Sequence, residues 1–270
     1  MPKRRTKNAS EKYHNRVARK YDDIYDDPFW RFHDEITWRA VKPHLPADAN
    51  ARCLDLGCGT GKWGLKLRKS GYRVTFLDHA PAMIGEVNEK IENDPRCDAT
   101  VGDIVSMPML DDAAYALTLA MGDPLSICAR PQAAANEMFR ACQPGGVVIA
   151  TADNRAAALG AYLDRGDLDG LEALVRTGRT KWVTSDAAEQ FDLATFTPHL
   201  LTRLFERAGF EVLKVVGKTV LPVRQIRDQL DDPDLFRRLV KLEMQLQGDA
   251  TTASAAGHLQ ITARRPSADA

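Results

Sequence analysis

The chain has 270 residues, 44% of them hydrophobic and 27% charged, which leaves room for one large domain or one domain with a lid. Lys plus Arg and Asp plus Glu each number 37, so the formal net charge is zero and no field gathers nucleic acid or an anionic membrane. A small substrate is the default partner, with no nucleic acid, no membrane, and a monomer or homodimer as the assembly.

Residues 10–46 read as helical and aromatic, carrying Tyr13, Tyr21, Tyr25, Phe29, Trp30, Phe32 and Trp38. Asp27-Pro28 breaks this segment before a second helix over 30–41. A βα alternation follows: strand 51–56, helix 62–69 closed by Ser70-Gly71, strand 72–77, and a helix opened by Pro81 and running to 93. Strands at 99–101 and 114–120, a helix over 130–142, a Pro144-Gly145-Gly146 turn and a strand at 147–151 complete the first half. Such spacing predicts a mostly parallel sheet between helices. Residues 154–192 leave the pattern, with short helices at 159–163 and 168–175 and an extended piece at 179–184. An insertion of that length reads as a lid. The alternation resumes with a helix opened by Thr197-Pro198-His199 and ended by Gly209, a strand at 210–216, a helical segment at 228–246 and a strand at 257–263. From Arg264 onward the chain is expected to be disordered.

Cys53, Cys58, Cys97, Cys128 and Cys142 are odd in number and form no CxxC pair. Reduced thiols in a cytoplasmic protein are the expectation. The charged residues 1–7 are followed by no apolar run, so they read as a solvated terminus rather than a signal peptide.

The chemistry concentrates at Leu54-Asp55-Leu56-Gly57-Cys58-Gly59-Thr60-Gly61, a strand running into a glycine-rich turn. Glycine at alternate positions lets backbone approach a ligand. A dinucleotide fingerprint needs glycine where Lys62 stands, and Lys62-Trp63 does not complete a phosphate loop. Asp78 ends the second strand, where an acid accepts ribose hydroxyls or, more plainly, caps the next helix. Asp103 can accept from an exocyclic adenine amine while Ile104 packs on the ring; Gly102-Asp103 is also an ordinary turn.

These residues resemble the class I S-adenosylmethionine-dependent methyltransferases of the small-molecule type. Residues 55–61 resemble that family's first motif, Asp78 its ribose acid and Gly102-Asp103 its adenine acid. Met121-Gly122-Asp123-Pro124-Leu125 falls where the family lines the donor pocket, and Pro144-Gly145-Gly146-Val147 resembles the turn before its fifth strand. The resemblance spans residues 13–151 and, more loosely, 196–264. It implies a doubly wound α/β fold with a seven-stranded, mostly parallel sheet. Residues 210–216 and 258–263 would form an antiparallel final hairpin. The implied organisation is a helical cap over 1–50, a methyltransferase domain over 51–264 with insertions at 154–192 and 222–250, and a tail at 265–270.

The implied donor site for S-adenosylmethionine comprises Tyr21, Asp55, Gly57, Gly59, Gly61, Asp78, His79, Met83, Asp103, Ile104 and Met121, with Tyr21 of the Tyr21-Asp22 pair closing over the donor's methionine end. His79 departs from the small polar residue common after the ribose acid. Asp153-Asn154 has no clear metal partner, so no metal is expected. Asp123, His33 and His199 are the candidates for acid–base work, and His14, His44 and His258 lack a comparable context. Tyr25, Trp30, Trp38 and Arg155 are the candidates for acceptor contact. The implied function is methyl transfer to a hydroxyl or amine of an aromatic or partly apolar metabolite, of the kind met in secondary metabolism. The alternatives are methylation of RNA or another macromolecule, and a non-catalytic or atypical S-adenosylmethionine-binding protein.

Overall fold

The computed structural model describes residues 8–267 except 248 and 250. Its strands are β1 (Arg52–Leu56), β2 (Arg73–Asp78), β3 (Cys97–Val101), β4 (Tyr115–Ala120), β5 (Cys142–Asp153), β6 (Arg179–Trp182), β7 (Phe191–Ala194), β8 (Glu211–Lys218) and β9 (His258–Arg264). Seven of them form one sheet in the order β3-β2-β1-β4-β5-β9-β8, while β6 and β7 make a separate antiparallel pair. All neighbours from β3 to β5 run parallel, and β9 is antiparallel to both β5 and β8. Strand order reverses between β1 and β4, which opens a crevice at the carboxyl ends of the strands. The doubly wound architecture and the antiparallel final strand match the sequence expectation.

The helices are α1 (Ala9–Val17), α2 (Tyr21–Ile24), α3 (Pro28–Val41), α4 (Lys62–Lys69), α5 (Pro81–Ile91), α6 (Pro124–Ile127), α7 (Pro131–Ala141), α8 (Arg155–Asp164), α9 (Leu168–Thr177), α10 (Pro198–Ala208) and α11 (Pro233–Leu246). Helices cover both faces of the sheet. Central strands therefore read as nearly unbroken apolar runs, and Leu54, Leu56, Leu117 and Leu119 are fully buried. Asp27 accepts a hydrogen bond from the Trp30 amide and puts Pro28 in the first turn of α3, so the residue pair that breaks the first helix also starts the second.

The aromatic N-terminal segment is tied down at three places. Thr60 Oγ1 donates to Asp22, and Lys90 Nζ bonds both Asp22 and the Thr60 carbonyl. Arg16 forms a two-pronged pair with buried Glu189 in the inserted region. Phe29, Phe32 and Ile36 of α3 pack with Val223, Leu230 and Val240 around α11. Tyr13 sits edge-on to Trp182, so the N-terminal segment and the β6–β7 hairpin meet over the cleft.

The structure departs from the sequence reading at several places, three of which have a plain physical cause. The segment read as one helix from 228 to 246 is split by Asp232-Pro233: a 3-10 turn (Val223–Gln229) precedes α11, whose first amides bond the Asp232 carboxylate. Pro144-Gly145-Gly146 lies within the span of β5 rather than forming a separate turn before it. Residues 264–267 are ordered rather than loose, because the Arg265 guanidinium donates to the carbonyls of Phe139, Arg140 and Cys142 and its backbone pairs with Gly145 and Gly146. The charged start at 1–7 and the final residues 268–270 lie outside the described residues. All five cysteines are buried and unpaired. Among the described residues no helix is long and apolar enough to cross a membrane.

Candidate functional site

A cleft of about 620 Å³ opens at the carboxyl ends of β1, β2, β4 and β5, within the range of small-molecule sites. Its donor end is built by the glycine turn. Gly57 has φ +62° and its Cα faces Pro124, where a Cβ would come within 2.7 Å of the proline side chain. Gly59, at φ +53°, lies under the Tyr21 ring, 3.5 Å from where its Cβ would stand. Asp78 anchors this turn from the next strand: one carboxylate oxygen accepts the Gly59 amide at 3.0 Å, the other the Ala80 amide at 2.8 Å. Each oxygen keeps a second lone pair for a ligand. Asp103 spends Oδ1 on the Val105 amide at 3.1 Å and leaves Oδ2 without a partner among the described residues. Tyr21, Gly57, Gly59, Asp78, His79, Asp103, Ile104 and Met121 all line this cleft.

Asp55, Gly61 and Met83 stand behind it instead. Asp55 Oδ2 accepts the Gly64 amide at 2.7 Å, holding the start of α4 against β1. Burial pushes its carboxyl up to about 7, helped by the charge of Asp78 and opposed by that Gly64 bond. Gly61, at φ +89°, caps α4 and packs toward Val87 and Phe76. Met83 is fully buried with Val17, Ala18 and Ala80 beneath the N-terminal segment. These three support the turn and do not face the cleft.

The opposite end is a row of polar side chains that β-sheet register brings together. His258, the first residue of β9, pairs with Asp153 at the end of β5 on one side and with Lys218 at the end of β8 on the other. Directly opposed residues share a face of the sheet. Asp123, at the tip of β4, completes the group: its Oδ2 lies 2.8 Å from His258 Nδ1. The backbone of Asp123 is in the left-handed region, at φ +62°, held by its amide bond to Thr151 and by carbonyl bonds from Ser126 and Ile127. A non-glycine residue in that conformation is strained, and such strain gathers at functional sites. Burial disfavours ionising Asp123, yet the charge and hydrogen bond of His258, with Lys218, hold its carboxyl well below the usual range. For His258, burial pulls the imidazole down, but Asp123 outweighs it and holds the ring above its ordinary value. Asp153, buried beside charged Asp123, is pushed up to about 6. Lys218 is 2% exposed; burial lowers it to about 8 against the pull of Asp123 and Asp34. His33 lies across the row, its ring centroid 5.5 Å from that of His258, with neither nitrogen hydrogen-bonded among the described residues. Burial and the nearby Lys218 lower it to about 3, so it is neutral at ordinary pH.

Tyr25 and Trp30 line the cleft beside this row. Trp38 does not: it stacks on Trp63 under the Lys66 ammonium. His199 and Arg155 do not reach it either. Both line a separate groove with Arg179, Arg203 and Arg207, and the Arg155 guanidinium is bonded to Thr195. Sequence reasoning also passed over His258 and Lys218, whose roles depend on register across the sheet. It found no metal partner for Asp153, whereas Asp123, Asp153 and His258 place one ligand atom each within 4.8 Å of one another. Asn154 is turned away, donating to the carbonyls of Ala253, Ser254 and Ala256 and so fixing the loop that leads into β9. His14 likewise lines the donor end beside His79.

Residues 53–146 match the methyltransferase domain family. That match assigns a methyltransferase-like domain to this stretch of the chain, β1 to β5. It is 31% identical over 126 residues to a demethylmenaquinone methyltransferase of Clavibacter sepedonicus, covering 47% of this chain and 48% of that protein. It is 32% identical over 135 residues to a ubiquinone/menaquinone biosynthesis C-methyltransferase of Roseobacter denitrificans, covering 48% and 53%. The chain thus spans about half the length of the curated relatives it matches. A methyltransferase structure from Methanosarcina mazei superposes with a TM-score of 0.61 at 18% identity, over 84% of this chain and 97% of that one. That likeness carries the fold. In this chain the glycine-turn end of the cleft fits an adenosyl group on its own geometry: open glycine backbone, two strand-tip carboxylates with spare acceptor capacity, and the apolar Ile104 and Met121 beside them.

Proposed function

We propose that this chain transfers a methyl group from S-adenosylmethionine to a small, planar, partly apolar acceptor, with residues 9–44 and 154–192 acting as its cap. The observation that carries this reading is the pair of carboxylates, Asp78 and Asp103, on neighbouring strand tips around the open Gly57–Gly59 turn, facing a cleft with room for a second molecule. Bound S-adenosylmethionine supplies an electrophilic methyl on a sulfonium. Asp78 accepts the ribose hydroxyls, Asp103 accepts from the adenine amine, and Ile104 packs on the ring. Tyr21, lying on Gly59, closes the methionine end. Alignment and exclusion of water do most of the remaining work. The aromatic wall of Tyr25, Trp30, Trp182 and Phe191 suits a flat acceptor. The relatives above are named for demethylmenaquinone and for ubiquinone and menaquinone biosynthesis, which favours a quinone-like ring.

The test is calorimetry with S-adenosylmethionine, followed by labelled donor offered to panels of phenols, amines and acids with product masses recorded. Saturable donor binding and label in a small product are expected. No donor binding would reject the reading, and transfer of label to RNA alone would move the acceptor to a macromolecule.

A further inference from the structure

The acceptor end of the cleft carries more acid–base equipment than alignment requires. Five titratable side chains from five elements converge there: His33 from α3, Asp123 from the tip of β4, Asp153 from β5, Lys218 from β8 and His258 from β9. Asp34 and Tyr25 stand beside them on the same wall. The arrangement is ordered rather than merely crowded. Nδ1 of His258 is bound to the Asp123 carboxylate at 2.8 Å, so the neutral ring carries its hydrogen there and its lone pair on Nε2. Nε2 has no partner among the described residues, and His258 is on the cleft wall. One strand away, the Lys218 ammonium is buried with a single weak hydrogen bond among the described residues, 3.4 Å to Thr37 Oγ1. A buried cation this poorly paired is costly unless a ligand completes it.

We propose that His258 is the general base for an acceptor hydroxyl, that Asp123 positions it, and that Lys218 pairs with the oxyanion formed, so that the acceptor is a phenol or enol. This deepens the methyl-transfer reading and rests on it. The hydroxyl proton passes to His258 Nε2 while the oxygen's electron pair forms the bond to the methyl carbon. The carbon–sulfur bond breaks with its pair going to sulfur, and the imidazolium then releases its proton to solvent. The products are a methyl ether and S-adenosylhomocysteine. An amine acceptor fits less well, because its ammonium form would meet Lys218. A divalent ion would have to compete with His258 for Asp123 and would also sit beside Lys218. Neutral His33 adds no charge of its own across from His258, and the Asp34 carboxylate beside it is paired with Lys62. The strained Asp123 backbone and the Asn154 contacts hold base and positioning group in register.

The readout is the ionisation of para-nitrophenol, whose phenolate absorbs in the visible. The phenol is added to the full chain with S-adenosylhomocysteine present, at a pH about one unit below its own pKa, where about a tenth ionises in water. Bound to the wild type it is expected to be mostly phenolate. His258→Gln and Lys218→Met should each bring the bound ionised fraction back toward the solution value, with donor affinity within about twofold of wild type. A phenol that does not bind, that binds neutral, or that ionises equally in both variants overturns the proposal. Turnover gives a second arm. His258→Gln should lower kcat for phenol methylation at least about 100-fold, the usual scale of general-base catalysis. Asp123→Asn should shift the pH profile, which loss of folding alone would not do. Activity abolished by a chelator and restored by magnesium would give the Asp123, Asp153 and His258 cluster to a metal instead. Failure of donor binding sinks the methyl-transfer reading by itself, because phenol ionisation is measured without turnover.

Discussion

At the donor end of the cleft the working residues are near neighbours in sequence; at the acceptor end they are not. Gly59 and Asp78, which bond each other, are 19 positions apart, the length of one αβ unit. Asp123 and His258, which also bond each other, are 135 positions apart, with the strands β5 to β8 and their connecting segments between them. The first arrangement follows from any chain that folds βαβ, since consecutive parallel strands put their tips side by side. The second exists only because β9 runs backwards, so that its first residue, rather than its last, reaches the carboxyl ends of the other strands. A motif can specify a cofactor crevice locally, whereas an acceptor site assembled from β4, β5, β8 and β9 can change one residue at a time without disturbing it.

Perturbing each end separately tests this division. The largest effect is expected from Asp78→Ala: donor affinity by calorimetry should fall about 100-fold, through lost ribose contacts and unpaired Gly59 and Ala80 amides, while para-nitrophenol still binds. Unchanged donor affinity would reject the ribose role. Gly64→Ala comes next. Its Cβ would lie 2.8 Å from Asp55 Oδ2 and collide with the Phe76 ring. A loss of about 1–3 kcal/mol in chemical denaturation is expected, and an unaltered midpoint would show that α4 can shift.

The pH dependences separate the two ends further. His258 is held above its ordinary value and must lose its proton to act, so kcat should climb with pH above about 6.5. It should fall again as Lys218 loses its charge near about 8. A flat profile across that range would remove both groups from the chemistry. At the donor end the sign concerns stability. Between the ordinary carboxylate range and about 7, native Asp55 keeps a proton that the unfolded chain has released. Its contribution to stability therefore falls as pH rises through that window. Asp55→Asn should flatten this slope in denaturation curves. The smallest effect is expected from Arg16→Ala, which removes the exposed half of the pair with Glu189. Donor affinity should stay within about twofold, with a modest rise in acceptor KM as the cap loosens. A large loss of donor affinity would mean that the cap shapes both ends equally.

Much of the architecture was legible in the residues. Lys62 to Lys69 is a helix with the bounds read from the sequence, and the mostly parallel sheet follows from the βα alternation, while the antiparallel last strand was implied by the family resemblance. Asp78 and Asp103 could be placed on the cleft wall because each sits at or just past a strand end, and Tyr21 because its Tyr21-Asp22 pair resembles one in the family. His199 misled because a histidine at a helix start has the local signature of a site residue, and only packing shows that α10 turns it toward the separate arginine-lined groove. Trp38 and Arg155 failed likewise: an aromatic or a cation has the same sequence signature whether it lines a cleft or stacks in a core.

Local chemistry, namely glycines where backbone must turn and acids where strands end, determined by sequence alone that this chain builds a crevice for a nucleoside-bearing donor. Only the tertiary structure decided what faces that donor. The pairing of His258 with Asp153 and Lys218 is a matter of strand register, and the bond from His258 to Asp123 follows from the sheet's order. Neither is encoded by spacing along the chain, because contacts between distant strands depend on the packing of everything between them.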